Sequence, residues 1–118
     1  MLSLFTVPKK AVTTRVIAVR MHADWCDTSR ALEQVFQHLK NRFDGKEVLF
    51  VTMDYTNNTT KHQSELLAGA LGIDEAIGQN VTTGQFLLLN FRSKNIFARL
   101  TANISFANMV KVVADKLK

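Results

Sequence analysis

The sequence holds one cysteine, one proline, one tryptophan and one tyrosine. A lone cysteine excludes an intramolecular disulfide, and with His22 it gives only two of the three or four ligands that a zinc site needs. The only proline is Pro8, so every turn beyond it is made without one. No apolar run approaches the roughly 18 residues of a membrane-spanning helix. Five glycines are too few and too scattered for a phosphate-cradling loop, and Gly84-Gln85 is too short to be one. No Ser-His-Asp or paired-carboxylate spacing is present. His38 and His62 fall on separate predicted helices and read as surface residues. The excess of 15 basic over 10 acidic residues forms no dense run: Lys9, Lys10, Arg15, Lys40, Arg42, Lys46, Arg92, Lys94 and Lys111 are spread along the chain. Nucleic-acid binding would want a basic stripe with stacking aromatics, so neither a nucleic acid nor a membrane is an expected partner.

What is present suits a packed protein. Hydrophobic residues make up 47% of the chain and charged residues 21%, and 118 residues fit one domain spanning 1–118. The chain starts apolar and then turns basic at Lys9-Lys10, the reverse of a secretory signal, so a cytoplasmic location is expected.

Periodicity predicts strand, helix, strand, helix, strand, strand, helix. Val16 to Met21 and Glu47 to Asp54 read as buried strands. Between them Leu32, Val35, Phe36, Leu39 and Phe43 share one face of a helix that starts at Cys26 and closes at Asp44-Gly45. Thr60 with Gln63 resembles a capping box, Leu66, Leu67, Ala70 and Leu71 continue as an apolar stripe, and Gly72 ends that helix. Asp74 to Ile77 adds a further turn. Phe86 to Leu89 and Ile96 to Leu100 form a hairpin around Arg92-Ser93-Lys94-Asn95, and Phe106, Met109, Val110, Val113 and Leu117 mark a terminal helix. This order predicts an α/β fold with a mixed central sheet flanked by helices on both faces.

The strand-to-helix junction His22-Ala23-Asp24-Trp25-Cys26 is the place to look for chemistry. At a helix start, unpaired N–H groups and the positive end of the dipole favour a thiolate. Ser29, one turn on, can donate its hydroxyl to the sulfur, and Arg30 adds a positive charge. Asp24 and Asp27 oppose ionisation, so the sign of the balance is left open by the sequence.

Ala23-Asp24-Trp25-Cys26-Asp27-Thr28-Ser29-Arg30 resembles the thioredoxin active-site segment, A-x-W-C-G-P-C-K. The resemblance implies a thioredoxin-like fold with its core over about residues 15–117, Cys26 as nucleophile, and Trp25, Asp27, Thr28, Gly84 and Gln85 as the surface that meets a substrate. Departures are as informative. Ser29 stands where the resolving cysteine falls, giving a C-x-x-S form. Gln85, beside Gly84, stands at the family's cis-proline position. Arg20 replaces the buried acid beneath the thiol, and Phe50 falls at its partner lysine. Residues 56–83 form an enlarged insertion. Monothiol glutaredoxins share C-x-x-S, but Thr6-Val7-Pro8 precedes the cysteine and cannot serve as their T-V-P signature, so glutathione or iron–sulfur binding gains no support.

Without a second thiol, release from a mixed disulfide needs an external one. The resemblance therefore implies a monothiol protein that exchanges with a partner protein's disulfide or oxidised thiol, with no bound cofactor and glutathione as a possible external thiol. The alternative is a redox-inactive protein-binding module on the same fold. Oligomeric state is left open. Arg20, expected to point inward beneath Cys26, needs a partner: Asp54 or Asp24 by position. Its charge would then favour the thiolate.

Overall fold

The computed structural model describes residues 13–118. Pro8, Lys9-Lys10 and the Thr6-Val7-Pro8 triplet lie outside the described residues. Four strands, β1 (Val16–His22), β2 (Val48–Asp54), β3 (Gln85–Asn90) and β4 (Ile96–Leu100), form one sheet in the order β2-β1-β3-β4. Strand β1 pairs parallel with β2 and antiparallel with β3, and β3 pairs antiparallel with β4, so the sheet is mixed.

The two central strands are buried almost throughout because helices cover both of their faces. On one face Ala18, Phe86 and Leu88 pack against Phe36 and Leu39 of α2 (Glu33–Arg42) and Leu32, which joins α2 to α1 (Asp27–Ala31). Met109 and Val113 of α5 (Phe106–Lys116) complete that layer. On the other face Ile17, Val19, Met21, Leu87 and Leu89 meet Ala68 of α3 (Asn58–Leu71) together with Ile73 and, from α4 (Asp74–Gly78), Ile77. Replacing a fully buried side chain such as Leu39 with alanine is expected to cost about 2–5 kcal/mol.

Several elements differ from their sequence reading. Strand β2 is an edge strand, half-buried except at Met53, because periodicity cannot separate an apolar edge strand from a central one. The helix expected to run unbroken from Cys26 to Phe43 is interrupted at Leu32. The capping box of α3 is Asn57 with Thr60, not Thr60 with Gln63: the Asn57 side chain accepts from the Thr60 N–H at 2.9 Å, and the Thr60 hydroxyl accepts from the Asn57 N–H at 3.0 Å. Of the predicted apolar stripe of α3, only Leu71 packs against the core. Ser64 and Ala68 are buried, whereas Leu66 is 63% exposed and Leu67 39%. Gly72 does end the helix, in the left-handed conformation at φ 75°. No helix among the described residues is long and apolar enough to cross a membrane.

Candidate functional site

The end of β1 delivers its chain directly into α1, and Cys26 is the residue at the junction. It stands at the N-cap of α1 in extended conformation, its N–H bonded to the Ala23 carbonyl at 3.0 Å, and its side chain is partly exposed. The surroundings hold its thiol below the ordinary range. The largest cause is the Ser29 hydroxyl, followed by the Thr83 hydroxyl and the Ser29 backbone N–H, with the Thr28 N–H smaller; slight burial works the other way. The Ser29 hydroxyl, itself buried, accepts from the Ala23 N–H at 3.3 Å and donates to the Met21 carbonyl at 3.4 Å. A hydroxyl has one proton, so ionisation of the thiol draws it from Met21 to the sulfur.

Thr83 was not singled out from the sequence. The signal was available: a hydroxyl residue directly before Gly84, in the loop that meets the thiol. Gly84 takes φ 85° and donates its N–H to the Met21 carbonyl at 2.8 Å. A Cβ built there would lie 2.9 Å from Thr28 Cβ and 3.6 Å from Cys26 Sγ, so the close approach of this loop to the cysteine requires glycine. Gln85 turns inward, is buried, and donates to the Thr82 carbonyl at 3.1 Å, which secures the loop. Its peptide bonds are trans, as are all those among the described residues. Of the predicted surface, Thr28 and Gly84 thus adjoin the sulfur, while the Gln85 side chain faces the protein interior.

Trp25 is 63% exposed beside Cys26 and is fixed by one bond, from its indole N–H to the Thr56 carbonyl at 3.1 Å. The Thr56 hydroxyl in turn accepts from the Asp24 N–H at 2.9 Å. Asp54 holds Thr56 through an Asx-turn, accepting its N–H at 2.9 Å and its hydroxyl at 2.5 Å. Ser64 of α3 ties back to both backbone groups of Asp54 at 2.7 and 3.1 Å. The sequence reading missed Thr56 and Ser64, since a contact between β2, α3 and the Trp25 loop leaves no local pattern.

Arg20 has different partners from those expected. Its guanidinium reaches His22 Nδ1 at 2.8 Å and Glu33 at 3.6 Å, rather than Asp54 or Asp24. Its cross-strand neighbour on β2 is Thr52, while Phe50 pairs with Ala18. A guanidinium only donates, so His22 Nδ1 must accept and Nε2 carries the hydrogen that goes to Asp24 at 2.7 Å. Both ring nitrogens are occupied, which removes His22 as a metal ligand beside Cys26. Among the described residues no three His, Cys, Asp or Glu side chains come together as a metal site. Arg30 binds the Asp24 carbonyl and the Asp27 carboxylate, so this positive charge and that negative one neutralise each other beside the thiol.

No family model and no characterised protein matches the chain by sequence. Solved structures do match. A thioredoxin mutant from Halobacterium salinarum superposes with a TM-score of 0.57 at 14% identity, covering 89% of this chain and 77% of its own. The fold is thioredoxin-like. Oxidised thioredoxin from Plasmodium falciparum gives 0.54 at 8% identity over 89% of this chain and 84% of its own. Trxlp from Edwardsiella tarda gives 0.56 at 11% over 86% and 84%. The thioredoxin-like sheet places Cys26 where β1 ends and α1 begins, as the A-x-W-C resemblance implied.

Proposed function

We propose that this thioredoxin-like protein is a monothiol thiol–disulfide exchange protein with Cys26 as its nucleophile. The observation that carries the reading is the environment of the sulfur: two hydroxyls and two backbone N–H groups favour the thiolate at a partly exposed position beside the exposed indole of Trp25. A merely structural cysteine would be buried among apolar side chains. The Cys26 thiolate attacks one sulfur of a partner protein's disulfide, forms a mixed disulfide, and releases the partner's other sulfur as a thiolate. Ser29 cannot attack the mixed disulfide, so an external thiolate such as glutathione breaks it, regenerating Cys26 and leaving the external thiol joined to the partner. The protein itself needs no cofactor for this step. Trp25, Thr28 and Gly84 form the surface next to the reacting sulfur, with Asp27 exposed at its edge.

A redox-inactive binding module is the second reading, favoured by the Gly84 N–H being committed to Met21 rather than offered to a partner's backbone. Alkylation rate against pH separates the two. Exchange requires the titration to fall below the free-thiol value of about 8.5, with one glutathionyl adduct per chain on incubation with glutathione disulfide. A thiol that titrates at or above that value and takes no adduct leaves the binding module.

A further inference from the structure

The charges that are scattered along the sequence are gathered by the fold. Strands β1 and β2 begin, and the β3–β4 hairpin turns, at the end of the sheet opposite Cys26. Helices α2 and α5 finish with Arg42 and Lys116 in their last turns. A cavity of about 860 Å³ opens at this end, lined by Thr14, Arg15, Phe91, Arg92, Ser93 and Lys94 among others. Among the described residues, none that lines it is a carboxylate. Nearby acids lie outside it: Glu47 at 3.5 Å from the Arg15 guanidinium, and Asp115 paired with Lys118. Arg15 is anchored by a bond from Nη1 to the Leu117 carbonyl at 3.0 Å.

Lys94 adds a separate observation. It is the only non-glycine residue at positive φ among the described residues, at 64°, although Asn95 beside it is of a type that tolerates that conformation better. This backbone is unfavourable for lysine, and it sets the ammonium 3.8 Å from the centre of the Phe91 ring, inside the cavity lining. Three cations, of which Arg15 also meets Glu47 outside the lining, with three hydroxyl donors (Thr13, Thr14 and Ser93) and an aromatic wall, match a tetrahedral dianion: guanidiniums bind its oxygens in pairs, the ammonium supplies charge, and hydroxyls fill the remaining acceptor sites. The volume is within the range of small-molecule sites. We propose that this cavity binds a phosphate group, at a site separate from Cys26.

The test is a titration of the full chain, isotope-labelled, with inorganic phosphate against sodium chloride of equal ionic strength, followed by amide chemical shifts. Saturable shifts centred on residues 13–15 and 90–94 are expected with phosphate only. Lys94→Gly removes the unfavourable backbone conformation, so the fold and melting temperature hold while phosphate affinity falls about tenfold. Arg92→Gln, at an exposed turn position, is expected to weaken binding to a similar degree. Glycerol phosphate as a second probe separates the sources. Tighter binding than inorganic phosphate identifies an ester whose body uses the Phe91 wall, and equal binding identifies the free anion. Shifts that merely track ionic strength, shifts centred on Cys26, or full affinity in folded Lys94→Gly would overturn the site.

Discussion

At the Cys26 end of the sheet most polar groups satisfy one another, the buried Nε of Arg20 being left without a partner. Ser29 bridges Ala23 and Met21, Thr56 holds Asp24 and Trp25, and Arg20, His22 and Asp24 form a chain of contacts. At the hairpin end, cations face a cavity with no carboxylate in its lining among the described residues. The first arrangement holds one atom, the sulfur, in a fixed environment of hydrogen-bond donors. The second holds charge around an empty volume. Preorganised donors suit chemistry at a point, and converging like charges suit capture of a counter-ion. One sheet can carry both because its two ends are separated by a packed core.

The strongest test of that separation is Cys26→Ser. It is expected to abolish alkylation and mixed-disulfide formation completely while leaving phosphate shifts at residues 90–94 in place; loss of both by a folded variant would merge the two ends into one site. Gly84→Ala comes next. A Cβ 2.9 Å from Thr28 at φ 85° is expected to destabilise the fold by about 1–3 kcal/mol, read by denaturant melts. It should also slow reaction at the sulfur 3.6 Å away. Wild-type stability would mean that the loop can move off the cysteine.

Ser29→Ala and Thr83→Val sharpen the account of the Cys26 end. Each is expected to raise the thiol pKa and slow alkylation at neutral pH, Ser29→Ala more than Thr83→Val, following the order of their influences. Each unit of upward shift reduces the thiolate about tenfold at a pH below both values. The sign of the stability effect follows from the same shift. The folded thiol ionises below its ordinary value, so its contribution is present above the unfolded pKa and is lost as pH falls through the folded one. Stability measured across that window is expected to rise with pH in wild type, and to rise less in Ser29→Ala.

The smallest effect is expected from Arg20→Met. The influences that lower the thiol are hydroxyls and N–H groups, and the guanidinium is taken up by His22 and Glu33. Its alkylation profile is therefore expected to remain within about twofold of wild type, while stability falls as buried His22 loses a donor. A large upward shift of the thiol would instead give Arg20 a direct hold on Cys26.

Much of this is legible in the sequence. The β-branched run Val16–Met21, the stripe from Leu32 to Phe43 and the A-x-W-C junction between them placed the cysteine at a strand-to-helix boundary, because periodicity and turn chemistry are local properties of the chain. The same local logic identified Ser29, one helical turn from Cys26. It failed at α3, where Leu66 and Leu67 were read as core and Ser64 and Ala68 occupy it. There the buried face is selected by the strand beneath, and Ser64 is needed inward to bind Asp54.

The sequence by itself determined the element order, the single cysteine at the strand-to-helix junction and the hydroxyl one helical turn from it. Tertiary structure alone decided which strand is an edge, that Thr83 and Gly84 close on Cys26, and that Arg20 goes to His22 and Glu33. It also gathered Arg15, Arg92 and Lys94 from residues far apart in the chain into one cavity lining. The reason is physical: periodicity reports which side of an element is apolar, whereas contacts between elements depend on register and packing, and charges distant in sequence meet only after the chain has folded back on itself.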